Sequence, residues 1–306
     1  MRIASANRGP WPWAPSGREP GPPAPDPDPR PPAPEPDPRL PDPAPDLWPP
    51  DRGPWPSVPD PRPTDRLSYS VISPASGALG TVAAGAAFMA WAVRGRSSSV
   101  FGSSVWRGPR ERRALALTFD DGPSEGTPRI LDILARHNVP ATFFQCGANV
   151  ERLPAVARAV RGAGHEIGNH SYAHPLFCFR RAGFIEADLA RAQQAIERHT
   201  GTRPVWFRAP FGVRWFGMRR AQSRLALRGV MWTVIGYDWK RKADAIVERM
   251  TAGASGGAIL CLHDGRELRV RPDIEETVNA VAQLLPKLLD QGYQFETLSR
   301  LLCPTT

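Results

Sequence analysis

The amino-acid sequence predicts an α/β fold, a (β/α) barrel of parallel strands, for the chain from residue 113 onward. Short apolar runs alternate there with helix-like stretches, and this alternation indicates parallel strands joined by right-handed crossovers. The seven predicted strands fit either an open doubly wound sheet or an incomplete barrel. Polar residues at or just after strand ends favour the barrel, which gathers its active site on one face. These residues are Asp120, His170, Arg208, Asp238 and His263.

The elements follow one another as hydrophobic runs and the helical stretches that fit between them. The first strand is an Ala/Leu run that the Gly122-Pro123 turn breaks. In chain order, the predicted strands are 114–118, 141–145, 166–168, 205–208, 230–234, 258–262 and 294–297. The predicted helices are 127–137, 154–163, 185–200, 218–227, 243–252 and 273–291.

Two adjacent carboxylates, Asp120 and Asp121, end the first strand. Neighbouring side chains of a strand point to opposite faces, so the two acids are expected to do different jobs. His170 and His174 stand at i and i+4, a spacing that puts both rings on one face of a helical turn. One carboxylate and two imidazoles predict a three-ligand divalent metal site, and the second carboxylate is then free to act as a base.

Five motifs in order resemble those of the polysaccharide deacetylase family, of the carbohydrate esterase family 4 type, whose catalytic unit is the NodB homology domain. They are Thr118-Phe119-Asp120-Asp121-Gly122-Pro123, His170-Ser171-Tyr172-Ala173-His174, Arg208-Ala209-Pro210-Phe211, Tyr237-Asp238-Trp239 and Leu260-Cys261-Leu262-His263-Asp264. The resemblance covers roughly residues 113–302 and implies a distorted (β/α)7 barrel, similar to a TIM barrel.

Asp121, His170 and His174 are therefore the predicted metal ligands. Two nitrogens and one oxygen suit one Zn²⁺ ion, for which Co²⁺, Mn²⁺ or Ni²⁺ can substitute. Asp120 is the predicted general base, with Arg208 holding its carboxylate through two parallel hydrogen bonds.

The remaining roles come from the resemblance. It implies that His263 is the general acid and that the Phe211 N–H helps to form an oxyanion hole; Phe211 stands where the family usually has Tyr. Asp238 belongs to the fourth motif, usually Asp-x-x-Asp-Trp, but here the first acidic position is Ile235. Asp238 is therefore expected to set the pKa of His263 in place of the missing first acid, unless the metal site sets that pKa. Trp215 and Trp239 are expected to line the acyl or sugar pocket, with core packing as the alternative.

Composition divides the chain before the catalytic domain at 113–306. Residues 1–66 contain 24 of the 36 prolines, and so dense a pattern predicts an extended, disordered tail. A start codon assigned too far upstream of the true start would produce the same pattern. Residues 67–93 carry no charged side chain and predict a membrane anchor, with a secretory signal or a small-residue helix on the domain as alternatives. The basic composition of residues 94–112 predicts a linker.

The sequence leaves two cellular locations of the domain possible, the cytoplasm and the cell envelope. The arginines that follow the apolar segment favour a cytoplasmic domain by the positive-inside rule, whereas a cell-envelope glycan as substrate favours an anchored or secreted one. After residue 66 the chain has 31 basic and 20 acidic residues, a surplus that suits anionic polymers or lipid headgroups. No aromatic–basic pattern indicates nucleic acid.

The motifs predict a metal-dependent hydrolase, and the resemblance implies that it removes N-acetyl groups from amino sugars of a chitin-oligomer or peptidoglycan type of glycan and releases acetate. One alternative keeps the machinery but acts on a lipid-linked sugar or a small non-glycan amide. Another is a glycan-binding protein with weak catalysis. Oligomeric state has no signal in the sequence.

Overall fold

The computed structural model of the protein describes residues 74–303, with side chains from residue 82 onward. The predictions made for residues 1–73, including the tail over 1–66, lie outside the described residues. The helix α1 occupies Pro74–Arg94. Among the helices of residues 74–303, none combines the length and the apolar character needed to cross a bilayer.

The catalytic domain alternates strands and helices as the sequence predicts. The strands are β1 Ala114–Gly122, β2 Thr142–Gln145, β3 Glu166–Asn169, β4 Trp206–Phe207, β5 Arg228–Gly229, β6 Val234–Ile235, β7 Ile259–His263 and β8 Gln294–Phe295. The helices are α2 Thr127–Arg136, α3 Gly147–Arg152, α4 Pro154–Gly162, α5 Ala182–Thr200, α6 Met218–Leu225, α7 Ala243–Gly253, α8 Glu275–Asp290 and α9 Leu298–Leu302, with a 3₁₀ turn over Pro210–Gly212.

All strand pairs are parallel, and the sheet order is β5-β4-β3-β2-β1-β7-β6, with β8 paired to the start of β1. The end strands β5 and β6 do not pair with each other among the described strands, so the barrel is open rather than closed. This confirms the predicted α/β barrel class.

The alternation of side chains along β1 divides the core into two layers. Leu115, Leu117 and Phe119 point outward into the main core beneath the helices. Ala114 and Ala116 point into the barrel, where they meet residues such as Ile259. Because the period of a strand is two, this register also aims Asp120 into the barrel at its carboxyl end.

One predicted strand is wrong. Residues 230–234 do not form a single strand; β5 ends before them and β6 begins at Val234. The Val230 N–H donates to the Phe207 carbonyl at 2.9 Å, whereas the Met231 N–H donates to the Val105 carbonyl at 2.7 Å. The chain therefore leaves β4 for another partner and bends, although every residue in the run looks compatible with a strand.

The predicted basic linker over 94–112 is part of the folded domain. Val105 bridges to Val230, and Arg107 bridges to Ala258. Preceding them, Ala92 and Val93 at the end of α1 pack in a small buried cluster with Phe101 and Val213. Backbone pairing and this apolar contact explain why the segment docks in spite of its charge.

Candidate active site

The carboxyl ends of the central strands surround a cavity of about 630 Å³. Because parallel strands present these ends on one side, residues far apart in the chain meet there. Most of the predicted site residues line the cavity: Asp120, Asp121, His170, His174, Phe211, Trp239 and His263. Arg208 and Asp238 lie behind this lining, and each contacts one of its members.

Asp121, His170 and His174 place three ligand-type atoms together. Asp121 Oδ1 lies 3.2 Å from His170 Nε2 and 3.0 Å from His174 Nε2, and all three side chains are buried. The structure therefore brings together the three predicted ligands.

The tautomer of His170 follows from its other ring nitrogen. Nδ1 lies 2.8 Å from the Arg208 carbonyl, which can only accept a hydrogen bond. Nδ1 therefore carries the proton, and the lone pair of Nε2 faces Asp121. A histidine that donates from one nitrogen to a backbone carbonyl and presents the other is the usual arrangement of a metal ligand.

The donor set fits a divalent metal. His174 Nδ1 is buried without a hydrogen-bond partner among the described residues, while its Nε2 points at the same carboxylate oxygen as His170. Burial alone would raise the pKa of Asp121, but the polar contacts of its carboxylate with the His170 and His174 rings outweigh it and hold that pKa well below its usual range. An ionised carboxylate beside two imidazoles is a typical ligand set for a divalent transition metal.

The two histidines do not lie on a helical turn, so that prediction is wrong. The segment is an irregular loop after β3, and Ser171 (φ 67°) and His174 (φ 52°) both have left-handed backbone conformations. Side chains fix the loop: Asn169 Oδ1 accepts the Ser171 N–H at 2.8 Å, and Ser171 Oγ accepts the His174 N–H at 3.0 Å. These local hydrogen bonds replace the helical ones.

Asp120 is held from behind by Arg208. The Arg208 Nη1 donates to Asp120 Oδ1 at 2.7 Å and to Thr118 Oγ1 at 2.8 Å. The predicted pair of parallel bonds is not formed, because Nη2 donates instead to the Met231 carbonyl at 3.2 Å. The guanidinium is fully buried and packs on the Phe144 ring at 4.2 Å. It fixes Oδ1 of the carboxylate and makes no hydrogen bond to Oδ2.

Cys261 lies beside Asp120, with its Sγ 3.5 Å from Asp120 Oδ2. Burial, and then the charge of Asp120, raises the pKa of this thiol well above its usual range. The thiol is therefore neutral and acts as a small packing residue with a weak donor.

His263 is positioned by Asp238. The His263 ring Nδ1 donates to Asp238 Oδ1 at 2.8 Å, and the His263 backbone N–H donates to Asp238 Oδ2 at 2.9 Å. Thr277 Oγ1 donates to Asp238 Oδ2 at 2.7 Å. Burial alone would lower the pKa of His263, but the Asp238 carboxylate outweighs it and raises that pKa to about 9. Asp238 thus contacts His263 directly even though Ile235 replaces the first acid of the motif.

Asp238→Asn is expected to move the titration of His263 to lower pH. The imidazolium is present below a pKa of about 9 and is lost as the pH rises through it. Without the carboxylate, burial dominates, and the pKa should fall by more than about one unit. NMR titration of the His263 ring measures this shift. Asp244→Asn, an exposed acid at the start of α7, is the matched control; an unmoved His263 titration in Asp238→Asn would contradict the assignment.

The aromatic residues divide between cavity and core. Trp239 lines the cavity and makes an edge-on contact with the His263 ring at 5.1 Å. Phe211 lines it as well, on the 3₁₀ turn with φ 55°, and contacts the His174 ring at 4.7 Å. Trp215 does not line this cavity; it packs beside buried apolar clusters near Phe101, so the pocket expectation for it is wrong. Trp232 lines the cavity instead.

Sequence reasoning missed Asp188, which supports the histidine loop. Its carboxylate accepts the N–H groups of Tyr172 at 2.8 Å and Ala173 at 3.3 Å. A signal existed, because Asp188 lies three residues after Ile185 and four before Ala192, both buried on the same face of α5. The sequence contains no signal that Trp232 lines the cavity, because this residue lies inside the predicted strand 230–234.

Comparison with known proteins agrees with this geometry. The family model described as "Polysaccharide deacetylase" matches residues 107–230. A peptidoglycan-N-acetylglucosamine deacetylase of Listeria monocytogenes is 34% identical over 194 residues, which cover 63% of this chain but only 39% of that protein. A chitooligosaccharide deacetylase of Sinorhizobium fredii is 37% identical, over 60% of this chain and 90% of that protein.

A solved structure shares the fold. It is a peptidoglycan N-acetylglucosamine deacetylase in complex with 4-naphthalen-1-yl-N-oxidanyl-benzamide, 30% identical in sequence, with a TM-score of 0.62. The alignment covers 66% of this chain and 94% of the other. The match therefore includes nearly the whole of that enzyme domain.

Proposed function

The chain belongs to the polysaccharide deacetylase family, and from that premise we propose that it hydrolyses N-acetyl groups of amino sugars in a peptidoglycan- or chitin-oligomer-type glycan and releases acetate. One observation carries the proposal. The Asp121–His170–His174 donor set and the two proton-transfer groups Asp120 and His263 line the same cavity. The relatives named above act, by their names, on N-acetylglucosamine of peptidoglycan and on chitooligosaccharides.

Asp121, His170 and His174 would hold the metal, for which we propose Zn²⁺, with Co²⁺, Mn²⁺ or Ni²⁺ as substitutes. When bound, such an ion supplies Lewis acidity to the amide carbonyl and makes water a better nucleophile. The protein contributes the preformed ligand orientation, which the carbonyl of Arg208 and the side chains of the loop maintain.

The proton transfers are assigned to residues of the cavity. Asp120 takes a proton from the attacking water, and Arg208 orients its carboxylate by donating to Oδ1. His263 donates a proton to the departing nitrogen, because Asp238 keeps its ring protonated over the neutral range. A ring nitrogen of His263 lies within 4.8 Å of an Asp120 carboxylate oxygen, so one amide can reach both groups. The Phe211 N–H is the proposed donor to the oxyanion.

His263→Ala is expected to lower kcat on N-acetyl glucosamine oligomers by about 10²-fold or more, the usual range for a general acid. The loss should be smaller on amides whose amine is a good leaving group, since such an amine departs without a proton. Rates on N-acetylglucosamine oligomers, with and without a fluorine beside the amide-bearing carbon that makes the amine a better leaving group, measure the difference. An equal loss on all substrates, together with a lower melting temperature, would make His263 a packing residue.

The substrate class is tested by a panel of the full-length protein with N-acetylglucosamine oligomers, soluble peptidoglycan strands and a small N-formyl amide. Acetate release from the glycans and no turnover of the small amide are expected. The two tryptophans at the cavity, Trp232 and Trp239, give flat apolar faces to a sugar ring. Turnover of the small amide alone would replace the glycan by a non-glycan substrate.

We further propose that the protein acts in the cell envelope, because a polymeric glycan of this kind lies there. Cell fractionation followed by immunodetection of the chain tests the location. Detection only in the cytosolic fraction would contradict it.

A further inference from the structure

A groove lined by arginines leads away from the catalytic cavity. The catalytic cavity shares Arg94 and Tyr237 with a second cavity of about 330 Å³. The second shares Arg96 and Arg249 with a third of about 780 Å³. Five residues that line this path form what we call the arginine groove: Arg94, Arg96, Arg107, Arg241 and Arg249.

Neutral groups fix three of these side chains in place. Arg96 donates to the Thr233 carbonyl, and Arg249 Nε donates to the Ile235 carbonyl at 2.7 Å. Arg107 donates to the Gly256 carbonyl at 3.2 Å and to Ser255 Oγ at 3.1 Å. Carbonyl and hydroxyl oxygens orient a guanidinium without cancelling its charge, so the groove stays positive.

Carboxylates do not neutralise the groove either. Within the described chain, none of the five guanidinium groups forms an ion pair with an acidic side chain. Among the described residues, Glu248 is the one acidic residue that lines the third cavity. Burial, together with the charges of Arg110 and Arg96, lowers the pKa of Arg107, as expected where like charges crowd. A cleft in which one sign of charge predominates attracts the opposite charge.

Aromatic rings alternate with these arginines. Trp106 has the guanidinium carbons of Arg96 and Arg107 at 5.6 and 5.7 Å from its ring. The Tyr237 ring, where the groove meets the catalytic cavity, lies 4.7 Å from the guanidinium carbon of Arg249. A guanidinium that packs on a ring is held in place and still offers paired donors to a carboxylate. The groove thus presents oriented positive groups to a carboxylate-bearing chain.

We propose that the arginine groove is a subsite for carboxylate-bearing sugars, so that the protein prefers an anionic peptidoglycan-type strand to a neutral N-acetylglucosamine oligomer. This inference rests on the proposed function, because the strand must continue from the groove into the catalytic cavity. Arg94 and Arg96 come from the end of α1 and the segment after it, before the region that the family model matches. Two of the five arginines therefore come from a segment that precedes the region matched by the family model.

Direct binding tests the subsite separately from catalysis. Isothermal titration of the full-length protein uses a soluble peptidoglycan strand, freed of its peptides, and the same strand with its lactyl carboxylates amidated. The wild type is expected to bind the carboxylate strand about tenfold tighter, since each exposed ion pair contributes modestly. The difference should shrink as salt is added.

Matched variants identify the residues responsible. Arg96→Gln/Arg241→Gln should remove the difference between the two strands, whereas Glu248→Gln should enlarge it. Arg241 makes no hydrogen bond among the described residues, so Arg241→Gln alone, with an expected loss of about threefold, serves if the double variant is unstable. Arg136→Gln, exposed at the end of α2, should change nothing.

Equal affinity of the wild type for the two strands would overturn the proposal, as would an equal loss on both strands in the double variant. Tighter binding of a poly(glycerol phosphate) chain would assign the groove to a phosphate polymer instead. Absence of acetate release with a preserved affinity difference would defeat the proposed function and leave the subsite standing. Acetate release without any affinity difference would defeat the subsite alone.

Discussion

Asp120→Asn is expected to keep the metal and lose 10²- to 10⁴-fold in kcat, the usual range for removing a general base. The asparagine carbonyl oxygen can still accept from Arg208, which now donates to Asp120 Oδ1 at 2.7 Å. The geometry behind the base is therefore preserved, but an amide cannot take a proton from water. Acetate release under saturating glycan, with metal content measured on the same preparation, separates the two effects.

The matched control is Asp244→Asn, an exposed acid in the first turn of α7, and its kcat should equal that of the wild type. Because Arg208 is fully buried, removing its charged partner should also lower the melting temperature. An unchanged kcat in Asp120→Asn would transfer the role of base to another group.

His174→Ala is expected to lose most of the bound metal and, with it, the activity. The wild-type chain should contain about one divalent metal, and removing one of three protein ligands leaves a solvated, weakly held ion. Asp121 Oδ1 now lies 3.0 Å from His174 Nε2 and 3.2 Å from His170 Nε2, so the alanine opens one side of the site. Elemental analysis after dialysis measures the occupancy.

His199→Ala, a half-buried histidine in the last turn of α5, should keep full occupancy and controls for the loss of an imidazole. A His174→Ala protein with its full complement of metal would remove His174 from the site. Metal loss in both variants would point to a general destabilisation of the fold.

The chemistry-bearing residues could be predicted because their residue types restrict their positions. The Asp120-Asp121 pair ends an apolar run before a Gly-Pro turn, so both acids could be placed at the end of a strand. The predicted opposite directions are not observed: both acids line the same cavity, because Asp121 leaves the strand conformation with a left-handed backbone (φ 72°). Asp120 contacts Arg208 there, and Asp121 contacts the two histidines. His263 could be placed in the same way, at the end of a run that must be buried.

The local backbone around the histidines could not be predicted. A spacing of i and i+4 brings two rings together on a helix, but a loop with two left-handed residues does so equally well. What selects the loop here is the side-chain hydrogen bonding of Asn169 and Ser171 and the carboxylate of Asp188 from the helix that follows, α5. Hydrogen bonds from side chains to the backbone depend on local geometry that the spacing of the histidines does not reveal.

The N-terminal edge of the domain and the roles of two tryptophans could not be predicted either, because both depend on tertiary contacts. Residues 94–112 read as a linker because they are basic, yet Val105 and Arg107 pair with strands of the barrel. Trp215 and Trp232 are both aromatic residues near predicted site residues, and only the tertiary packing separates the core residue from the one that lines the cavity.

The central claim is that metal held by Asp121, His170 and His174 supports N-deacetylation in which Asp120 is the base. The most direct measurement is the release of acetate from an N-acetylated glycan by the full-length protein, with new primary amines on the glycan counted in parallel. We predict equal amounts of acetate and amine, loss of both after chelation, recovery on adding back Zn²⁺, and no recovery for Asp120→Asn. Acetate release that persists after the metal has been removed, or that Asp120→Asn retains in full, would contradict the account.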